Sequence, residues 1–216
     1  MEEDSHQEDV GLVIIFIIGP PGTGKSTMCK LAISELGKLN TISCHHLSVG
    51  DYLREICKKK PSCDEEAVDI KFIERHLNTN QVLPPDILIP LLVEKLESDN
   101  EQSKLKNVWL IDGFPRSMET ALAFEEKIGD PHGVIEVQCS AEMAKERFVK
   151  RGREISDDEG RWKTRAQEHL KAIKQIRDHY DSRMEYIDAN GPEEEILEPF
   201  MKALRKMILK TIPKEI

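Results

Sequence analysis

The sequence predicts an α/β protein built on a five-stranded parallel sheet with helices on both faces. Short apolar runs alternate along the chain with stretches of helical period, which is typical of parallel strands joined by crossover helices. The first run, "LVIIFII" at residues 12–18, is apolar at every position. Such a run indicates a strand that is buried on both faces. The length of 216 residues allows one domain with a sizeable core.

The strands are predicted from the apolar runs themselves. In chain order they cover residues 12–18, 41–47, 107–111, 133–139 and 184–189.

The helices are predicted from apolar residues spaced three or four positions apart. The first helix carries Met28, Leu31, Ala32 and Leu36 on one face, and Gly37 is the expected C-cap. The others are a helix with Ile70, Ile73 and Leu77, a helix with Leu88, Leu91 and Leu92 opened by Pro84-Pro85-Asp86, and a last helix after Asn190-Gly191-Pro192. The segment 48–83 is long for a single crossover, so we expect a helical insert there.

Composition excludes several classes of function. The formal net charge of −9 and the pI of about 5.4 argue against nucleic-acid and anionic-membrane partners. The five cysteines are scattered without a CxxC pair, which indicates a reducing compartment. Residues 1–10 are acidic and predict a disordered tail without a targeting signal. No apolar run is long enough to span a bilayer, so the expected location is the cytosol or the nucleus.

The segment "GPPGTGKST" at residues 19–27 carries the strongest functional signal. It fits GxxxxGK[ST], directly after a predicted strand and at the start of a predicted helix. Glycines let backbone N–H groups surround phosphate oxygens, and the helix N-terminus adds partial positive charge. Lys25 can reach the β- and γ-phosphates, and Ser26 can reach Mg²⁺. This P-loop predicts binding of a nucleoside triphosphate through Gly19, Pro20, Pro21, Gly22, Thr23, Gly24, Lys25, Ser26 and Thr27.

Asp112 follows the strand "NVWLI" and is the candidate acid of this site. In a P-loop protein an acid at a strand end commonly orders the Mg²⁺ shell, here through water together with Ser26. The alternative is that Asp112-Gly113 only forms a turn. The upstream P-loop and the nearby Arg116 favour the functional interpretation.

Four segments taken together resemble the nucleoside monophosphate kinase family, which includes adenylate kinases and UMP/CMP kinases. They are "GPPGTGKST", "HLSVGDYLR" at 46–54, "DGFPR" at 112–116, and "ERFVKRG" at 146–152 followed by "SDD" and Arg165. The resemblance implies a P-loop NTPase domain at 11–216, with an acceptor-binding insert at 48–83 and a short lid at 152–162. It also implies Mg²⁺ with ATP as donor, a nucleoside monophosphate as acceptor, and a monomer.

The resemblance also implies roles for the arginines. Arg54 and Arg116 would hold the acceptor phosphate, Arg147 would lie over the ATP base, and Arg151 and Arg165 would close on the phosphates from the lid. The implied catalytic set is Lys25, Arg116, Arg151 and Arg165. The implied acceptor set is Ser48, Gly50, Asp51, Arg54, Val82, Gly113, Phe114, Arg116 and Thr120. The implied lid set is Arg153, Asp157, Asp158 and Arg161. For the basic residues between 145 and 177, a solvated helix face is the alternative.

These residue types suit phosphoryl transfer between two nucleotides. The attacking phosphate oxygen is already ionised, so no strong base is needed. Catalysis comes from alignment and from cations that neutralise charge on the moving group. Arginine suits this task because its planar fork grips phosphate with two hydrogen bonds.

Two positions depart from the family pattern and bear on the acceptor. Thr120 stands where the family usually has Gln or Asn to bind the acceptor base. Its side chain is shorter and has one hydroxyl in place of the paired donor and acceptor of an amide. Base selection would then be looser or fall to a neighbour such as Glu119. Val49 stands where adenylate kinases tend to have Thr and UMP/CMP kinases Ala. The apolar side chain favours the UMP/CMP branch, as do "IEVQCSAE" (135–142) and "DGFPRSMETALAFEE" (112–126).

The lid also departs from the pattern. Ile155 falls near the place of a phosphate-binding arginine, for which Arg153 or Arg161 are the candidate substitutes. The lid lacks cysteines, so no structural zinc is expected, and Asp157 and Asp158 are expected to pair or cap rather than bind metal. Trp162 is either an exposed spacer or a contact to the ATP base.

The histidines give no metal-binding pattern. Adjacent residues of a strand point to opposite faces, so His45 and His46 are interpreted as packing residues or turn donors. His76, His169 and His179 are isolated helix positions.

The sequence therefore predicts transfer of the γ-phosphoryl group of Mg-ATP to a pyrimidine monophosphate. An adenylate kinase with AMP as acceptor is one alternative. A nucleotide-binding protein whose shortened lid has lost catalytic efficiency is the other.

Overall fold

The computed structural model describes residues 12–39, 41–58, 69–100, 105–152 and 158–211. The predicted acidic tail at 1–10 lies outside these ranges. The strands are β1 (Leu12–Ile18), β2 (Ile42–Ser48), β3 (Lys106–Asp112), β4 (Gly133–Gln138) and β5 (Met184–Asp188). The helices are α1 (Lys25–Leu36), α2 (Val49–Lys58), α3 (Ile70–Thr79), α4 (Pro85–Asn100), α5 (Met118–Ile128), α6 (Ala141–Arg151), α7 (Glu159–Tyr180) and α8 (Glu193–Thr211).

The five strands form one parallel sheet in the order β2-β3-β1-β4-β5. After β1 the chain visits β2 and β3 on one side and then β4 and β5 on the other. In such sheets ligands bind in the crevice at the carboxyl ends of the strands, where the direction of winding changes. That point lies at the end of β1.

The sheet separates two hydrophobic clusters, and β1 contributes alternate residues to each. Val13, Ile15 and Ile17 pack in one cluster with residues of α1 and α8. Ile14, Phe16 and Ile18 pack in the other with residues of α4, α5 and α7. Burying one such side chain is worth about 1.5–3 kcal/mol. The prediction of a five-stranded parallel sheet with helices on both faces is therefore confirmed.

Strand boundaries differ from the predictions by at most one residue. β3 begins at Lys106 and ends at Asp112, so the acid lies at the strand end as predicted. Gly37 caps α1, but its φ of −61° is right-handed helical, because the chain continues as a short 3₁₀ turn. The prediction that Gly37 is the C-cap of α1 is confirmed.

The predicted insert at 48–83 contains α2 and α3, and residues 59–68 of it lie outside the described ranges. No helix within the described ranges has both the length and the apolar character that crossing a membrane requires. Four cysteines of the described chain are free thiols, namely Cys29, Cys44, Cys57 and Cys139.

Candidate active site

Two residues of the loop between β1 and α1 must be glycine, because the backbone of β4 and α6 packs closely against the loop. Gly19 has φ 138° and Gly22 has φ 94°, a region that side chains with a Cβ rarely adopt. A Cβ on Gly19 would lie 2.2 Å from the Val137 oxygen, and one on Gly22 would lie 1.9 Å from the Ala144 oxygen. β4 and α6 thus fix the path of the loop.

The loop leads into α1 without a side-chain cap. Gly24 is the N-cap and makes no side-chain hydrogen bond. The first N–H groups of a helix have no intrahelical partner, and together with the helix dipole they attract anions. The predicted phosphate cradle has the backbone geometry that its motif requires.

Lys25 lies inside this loop. Its Nζ donates to the Gly19 oxygen at 2.9 Å and to the Pro20 oxygen at 2.7 Å. Burial lowers the pKa of Lys25 to about 8, although the charge of Asp112 opposes this.

Asp112 lies at the end of β3, beside Ser26 and His46. Ser26 Oγ donates to Asp112 Oδ2 at 2.5 Å, and His46 Nε2 lies 3.4 Å from the same oxygen. Burial alone would raise the pKa of Asp112, but the hydrogen bonds from His46 and Ser26 and the charge of Lys25 lower it overall. The carboxyl group is therefore ionised at neutral pH.

The pair Ser26–Asp112 fits a magnesium ion, since hydroxyl and carboxylate oxygens are its preferred ligands. Within the described residues no group of three or more His, Cys, Asp or Glu could hold a metal ion. A site with only these two protein ligands is compatible with Mg²⁺, because Mg²⁺ in kinases keeps waters and takes further oxygens from phosphates rather than from a protein cage.

A cavity of about 710 Å³ opens at the carboxyl ends of the strands and is called the main cavity below. Every predicted ATP-binding residue except Pro20 lines it: Gly19, Pro21, Gly22, Thr23, Gly24, Lys25, Ser26, Thr27 and Arg147. It is also lined by predicted metal, acceptor and lid residues, namely Ser48, Gly50, Arg54, Val82, Asp112, Gly113, Arg116, Arg151 and Arg165.

A smaller cavity of about 40 Å³ adjoins it and is called the acceptor cavity below, after the predicted acceptor residues in its walls. The two share Gly50, Arg54, Val82, Gly113, Arg116 and Arg165 in their walls, and Asn80 besides. Phe114, Thr120 and Arg161 line the acceptor cavity only. Its remaining walls are largely apolar and include Val49, Leu53, Leu83 and Leu88.

Arginines converge where the two cavities meet. Burial lowers the pKa of Arg165 to about 9, and the charges of Arg116, Arg151, Arg161 and Arg54 lower it further. Burial likewise lowers the pKa of Arg116, with Asp112 opposing it. Cations that disfavour one another's charge are stabilised by a polyanion placed among them. The geometry thus suits the phosphates of two nucleotides.

Individual contacts hold some of these arginines in place. Arg54 pairs with Asp51 at 2.6 Å, and Arg116 Nε donates to the Gly113 oxygen at 3.1 Å. Arg151 lies over the Phe148 ring, 4.5 Å from its centroid. Arg147 and Arg165 are therefore held partly buried in the cavity wall, whereas Lys150, Arg151 and Lys171 line the cavity and are also exposed to solvent.

Arg147 is fixed in the wall of the main cavity by two hydrogen bonds. Its guanidinium donates to the Ala189 oxygen at 2.7 Å and to the Gly191 oxygen at 2.8 Å. Glu193 and Ile196 of α8 line the cavity in the same region, which sequence patterns did not identify.

Three predicted site residues, Asp51, Asp158 and Pro20, line neither cavity, and Thr120 lines the acceptor cavity with its hydroxyl bonded to Ser117. Asp51 pairs with Arg54 and lines neither cavity, and Asp158 caps α7 by accepting from the Arg161 N–H. Pro20 contributes only its carbonyl, which accepts from Lys25. Thr120 is 1% exposed, and its hydroxyl donates to the Ser117 oxygen at 3.0 Å within the first turn of α5. The Thr120 hydroxyl therefore forms a hydrogen bond within the first turn of α5. Glu119, the neighbour suggested for selecting the acceptor base, is exposed and lines neither cavity.

The lid is described only in part. Arg153, Ile155 and Asp157 lie outside the described residues, as does most of the predicted lid at 152–162. Arg161 Nε donates to Asn80 Oδ1 at 3.3 Å, and its Nη2 donates to the Leu77 oxygen at 3.4 Å. Trp162 Nε1 donates to the Pro21 oxygen at 3.0 Å. Trp162 is half-buried, so the exposed-spacer alternative was wrong, and a contact to the ATP base stays a prediction.

Two histidines of the site region were missed by sequence reasoning. His45 is a packing residue as expected and stacks on Trp109 with 4.5 Å between ring centroids. His46 instead contacts Asp112, and His169 lines the main cavity. Burial and the charge of Lys25 lower the pKa of His169 to about 4. A polar residue inside a predicted buried strand was the available signal for His46, and no local signal marks His169.

The sequence is similar to a family model and to several known kinases. The family model described as adenylate kinase matches residues 17–185. The UMP-CMP kinase of Sus scrofa is 28% identical over 201 residues, which cover 89% of this chain and 97% of the relative. The UMP-CMP kinase of Homo sapiens is 27% identical, covering 90% and 97%. The adenylate kinase of Helicobacter pylori strain G27 is 30% identical, covering 91% and 96%.

Proposed function

The chain belongs to the adenylate kinase family and is a nucleoside monophosphate kinase, and we propose that its acceptor is a pyrimidine nucleoside monophosphate, UMP or CMP. The reaction is transfer of the γ-phosphoryl group of ATP to the acceptor phosphate, giving ADP and a nucleoside diphosphate. The donor site on this proposal is the part of the main cavity between the loop at 19–24 and Arg147.

The proposed mechanism relies on position and charge. Lys25 and the N–H groups of the loop hold the β- and γ-phosphates, and Arg147 marks the end where the ATP base would lie. Arg54 and Arg116 hold the acceptor phosphate, while Arg151 and Arg165 neutralise charge on the phosphoryl group in transit. Ser26 and Asp112 would hold Mg²⁺, which when bound supplies Lewis-acid stabilisation of phosphate charge.

The apolar side chain of Val49 in the wall of the acceptor cavity carries the choice of acceptor, since adenylate kinases tend to have Thr at this position and UMP/CMP kinases Ala. The buried Val49, 4% exposed, narrows this cavity, and the hydroxyl of Thr120 is turned to Ser117. The UMP-CMP kinases among the relatives support the same acceptor.

AMP is the second candidate acceptor. The 30% identity to an adenylate kinase, over most of both chains, favours it. A monomeric state and a cytosolic or nuclear location stay predictions from the sequence.

ADP formation from Mg-ATP tests the proposal, with AMP, UMP, CMP, dCMP and GMP offered singly against a control without acceptor. We expect turnover with UMP or CMP to exceed turnover with AMP at least tenfold, about 1.4 kcal/mol in transition-state binding. A preference for AMP would overturn the pyrimidine acceptor. Binding of ATP without transfer to any of the five would instead support a catalytically weakened nucleotide-binding protein.

A further inference from the structure

The first turn of α7 is tied to both sides of the active site by neighbouring side chains. Trp162 reaches the phosphate-binding loop and donates its indole N–H to the Pro21 oxygen at 3.0 Å. Arg161 reaches the C-terminal end of α3, where it donates to Asn80 and to the Leu77 oxygen. Asp158 caps the same turn.

The contact with Pro21 fixes the orientation of one peptide group. Residues 21 and 22 are joined by a trans peptide, since within the described chain the one cis bond is Phe114–Pro115. In a trans peptide the C=O and the next N–H point in opposite directions. Holding the Pro21 oxygen therefore also holds the direction of the Gly22 N–H.

This peptide group needs such a restraint. Its plane can rotate through ψ of Pro21 and φ of Gly22, and glycine allows a wide range of φ. Pro21 and Gly22 both line the main cavity, whereas Trp162, which binds the Pro21 oxygen, does not. An oxygen engaged by the indole leaves the N–H on the opposite side of the same peptide group for an anion in the cavity.

We propose that Trp162 is a positioning residue for the phosphates of ATP, acting through the Pro21–Gly22 peptide group. The same bond holds the start of α7 against the loop and thereby places Arg165, one turn later, among the other arginines of the main cavity. This role depends on ATP as the donor and is independent of which monophosphate is the acceptor.

The chain offers a matched control for this proposal. It contains two tryptophans, and both indole N–H groups donate to an oxygen at 3.0 Å. Trp109 donates to Asn100 Oδ1, is 1% exposed and lines neither cavity. Trp162→Phe and Trp109→Phe therefore make the same chemical change at the loop and in the core.

The test is the Kd of Mg-ATP by isothermal titration calorimetry without acceptor, together with KM, kcat and Tm. Removing one neutral hydrogen bond should raise the Kd and the KM for ATP roughly three- to tenfold in Trp162→Phe. The KM for the acceptor should stay within about twofold, and Tm should change little, because Trp162 is only half-buried. In Trp109→Phe we expect a lower Tm and an unchanged Kd.

An unchanged Kd for ATP in Trp162→Phe would overturn the proposal. Equal weakening of ATP binding in both variants would also overturn it, because the effect would then be one of general stability. Because ATP binding is measured without acceptor, failure of the pyrimidine assignment would leave this result unaffected.

Discussion

The proposed donor side and the proposed acceptor side of this site are built in different ways. The donor side is one continuous loop whose N–H groups and left-handed glycines make the cradle, braced by β4, α6 and Trp162. The acceptor side draws side chains from α2, the α3–α4 connection, the β3–α5 loop and α7. A site made of backbone leaves a motif in the sequence. A site made of dispersed side chains can change its specificity with a few substitutions.

Arg116 lies where the two sides meet, and removing it should have the largest effect. Arg116→Ala should lower the transfer rate about a thousandfold, because the cation that aligns the acceptor phosphate with the γ-phosphate is lost. The Kd of ATP should stay within about threefold, since Lys25 and the loop remain. Steady-state kinetics and calorimetry measure the two quantities.

The control for Arg116 is Arg205→Ala, which removes an exposed arginine of α8 and should leave both quantities unchanged. A transfer rate in Arg116→Ala close to that of the wild type would remove Arg116 from the site.

Gly22→Ala tests the donor side alone. The new Cβ would lie 1.9 Å from the Ala144 oxygen in a left-handed residue, so the loop must move. We expect ATP affinity to fall about a hundredfold, or about 2.7 kcal/mol, as measured by calorimetry.

Gly37→Ala is the matched control for Gly22→Ala. Gly37 has φ −61°, and a Cβ there would meet nothing within 4 Å. It should leave ATP affinity intact and keep or raise stability by about 0.5–1 kcal/mol. Normal ATP affinity in Gly22→Ala would show that the loop is not a rigid backbone site.

His169→Gln tests the electrostatics beside the donor loop through pH. Burial lowers the pKa of His169 to about 4 from 6.5, Lys25, Arg177 and Arg116 act in the same direction, and Glu136 opposes them. A lowered pKa gives stability that is present above pH 6.5 and lost as pH falls towards 4. This loss is on the order of 3 kcal/mol.

The glutamine variant lacks the loss of stability that protonation of His169 causes. Its Tm should therefore fall less than that of the wild type between pH 6.5 and 4. Above pH 7 the two profiles should run parallel. Parallel profiles over the whole range would mean that His169 titrates normally.

Thr120→Val should have the smallest effect, and it tests whether Thr120 binds the acceptor base. Loss of the hydroxyl leaves the Ser117 oxygen with one partner fewer, which should cost about 1 kcal/mol of stability. The KM for the acceptor should change less than threefold. A tenfold rise in that KM with unchanged kcat would instead mean that Thr120 binds the base.

Thr79→Val is the control for Thr120→Val, because the exposed Thr79 hydroxyl makes a similar bond to the Arg75 oxygen at 2.8 Å. Its stability should change by less than about 0.5 kcal/mol.

The sheet, the helices on its two faces and the phosphate-binding loop could be predicted from the sequence. These features depend on local patterns: the run 12–18, the helical period of α1, and the glycine spacing of residues 19–24. The family resemblance added the arginines, and Arg54, Arg116, Arg147, Arg151 and Arg165 all line the main cavity.

The remaining contacts join residues that are distant in sequence, so no local pattern encodes them. Trp162 and Pro21 are 141 positions apart, and His46 and Asp112 are 66 apart. Thr120 illustrates a different limit. Its position in the family motif predicted a contact with the acceptor base, whereas its hydroxyl donates to the oxygen of the neighbouring Ser117.

The most direct test of two adjoining nucleotide sites with a pyrimidine acceptor is inhibition by bisubstrate compounds. In these, adenosine is joined through five phosphates either to uridine or to a second adenosine. Because the main and acceptor cavities share Arg54, Arg116 and Arg165, one linked molecule should occupy both. We expect the uridine compound to bind at least tenfold more tightly, about 1.4 kcal/mol. Tighter binding of the diadenosine compound would contradict the pyrimidine acceptor, and affinity no better than that of ATP alone would contradict the paired sites.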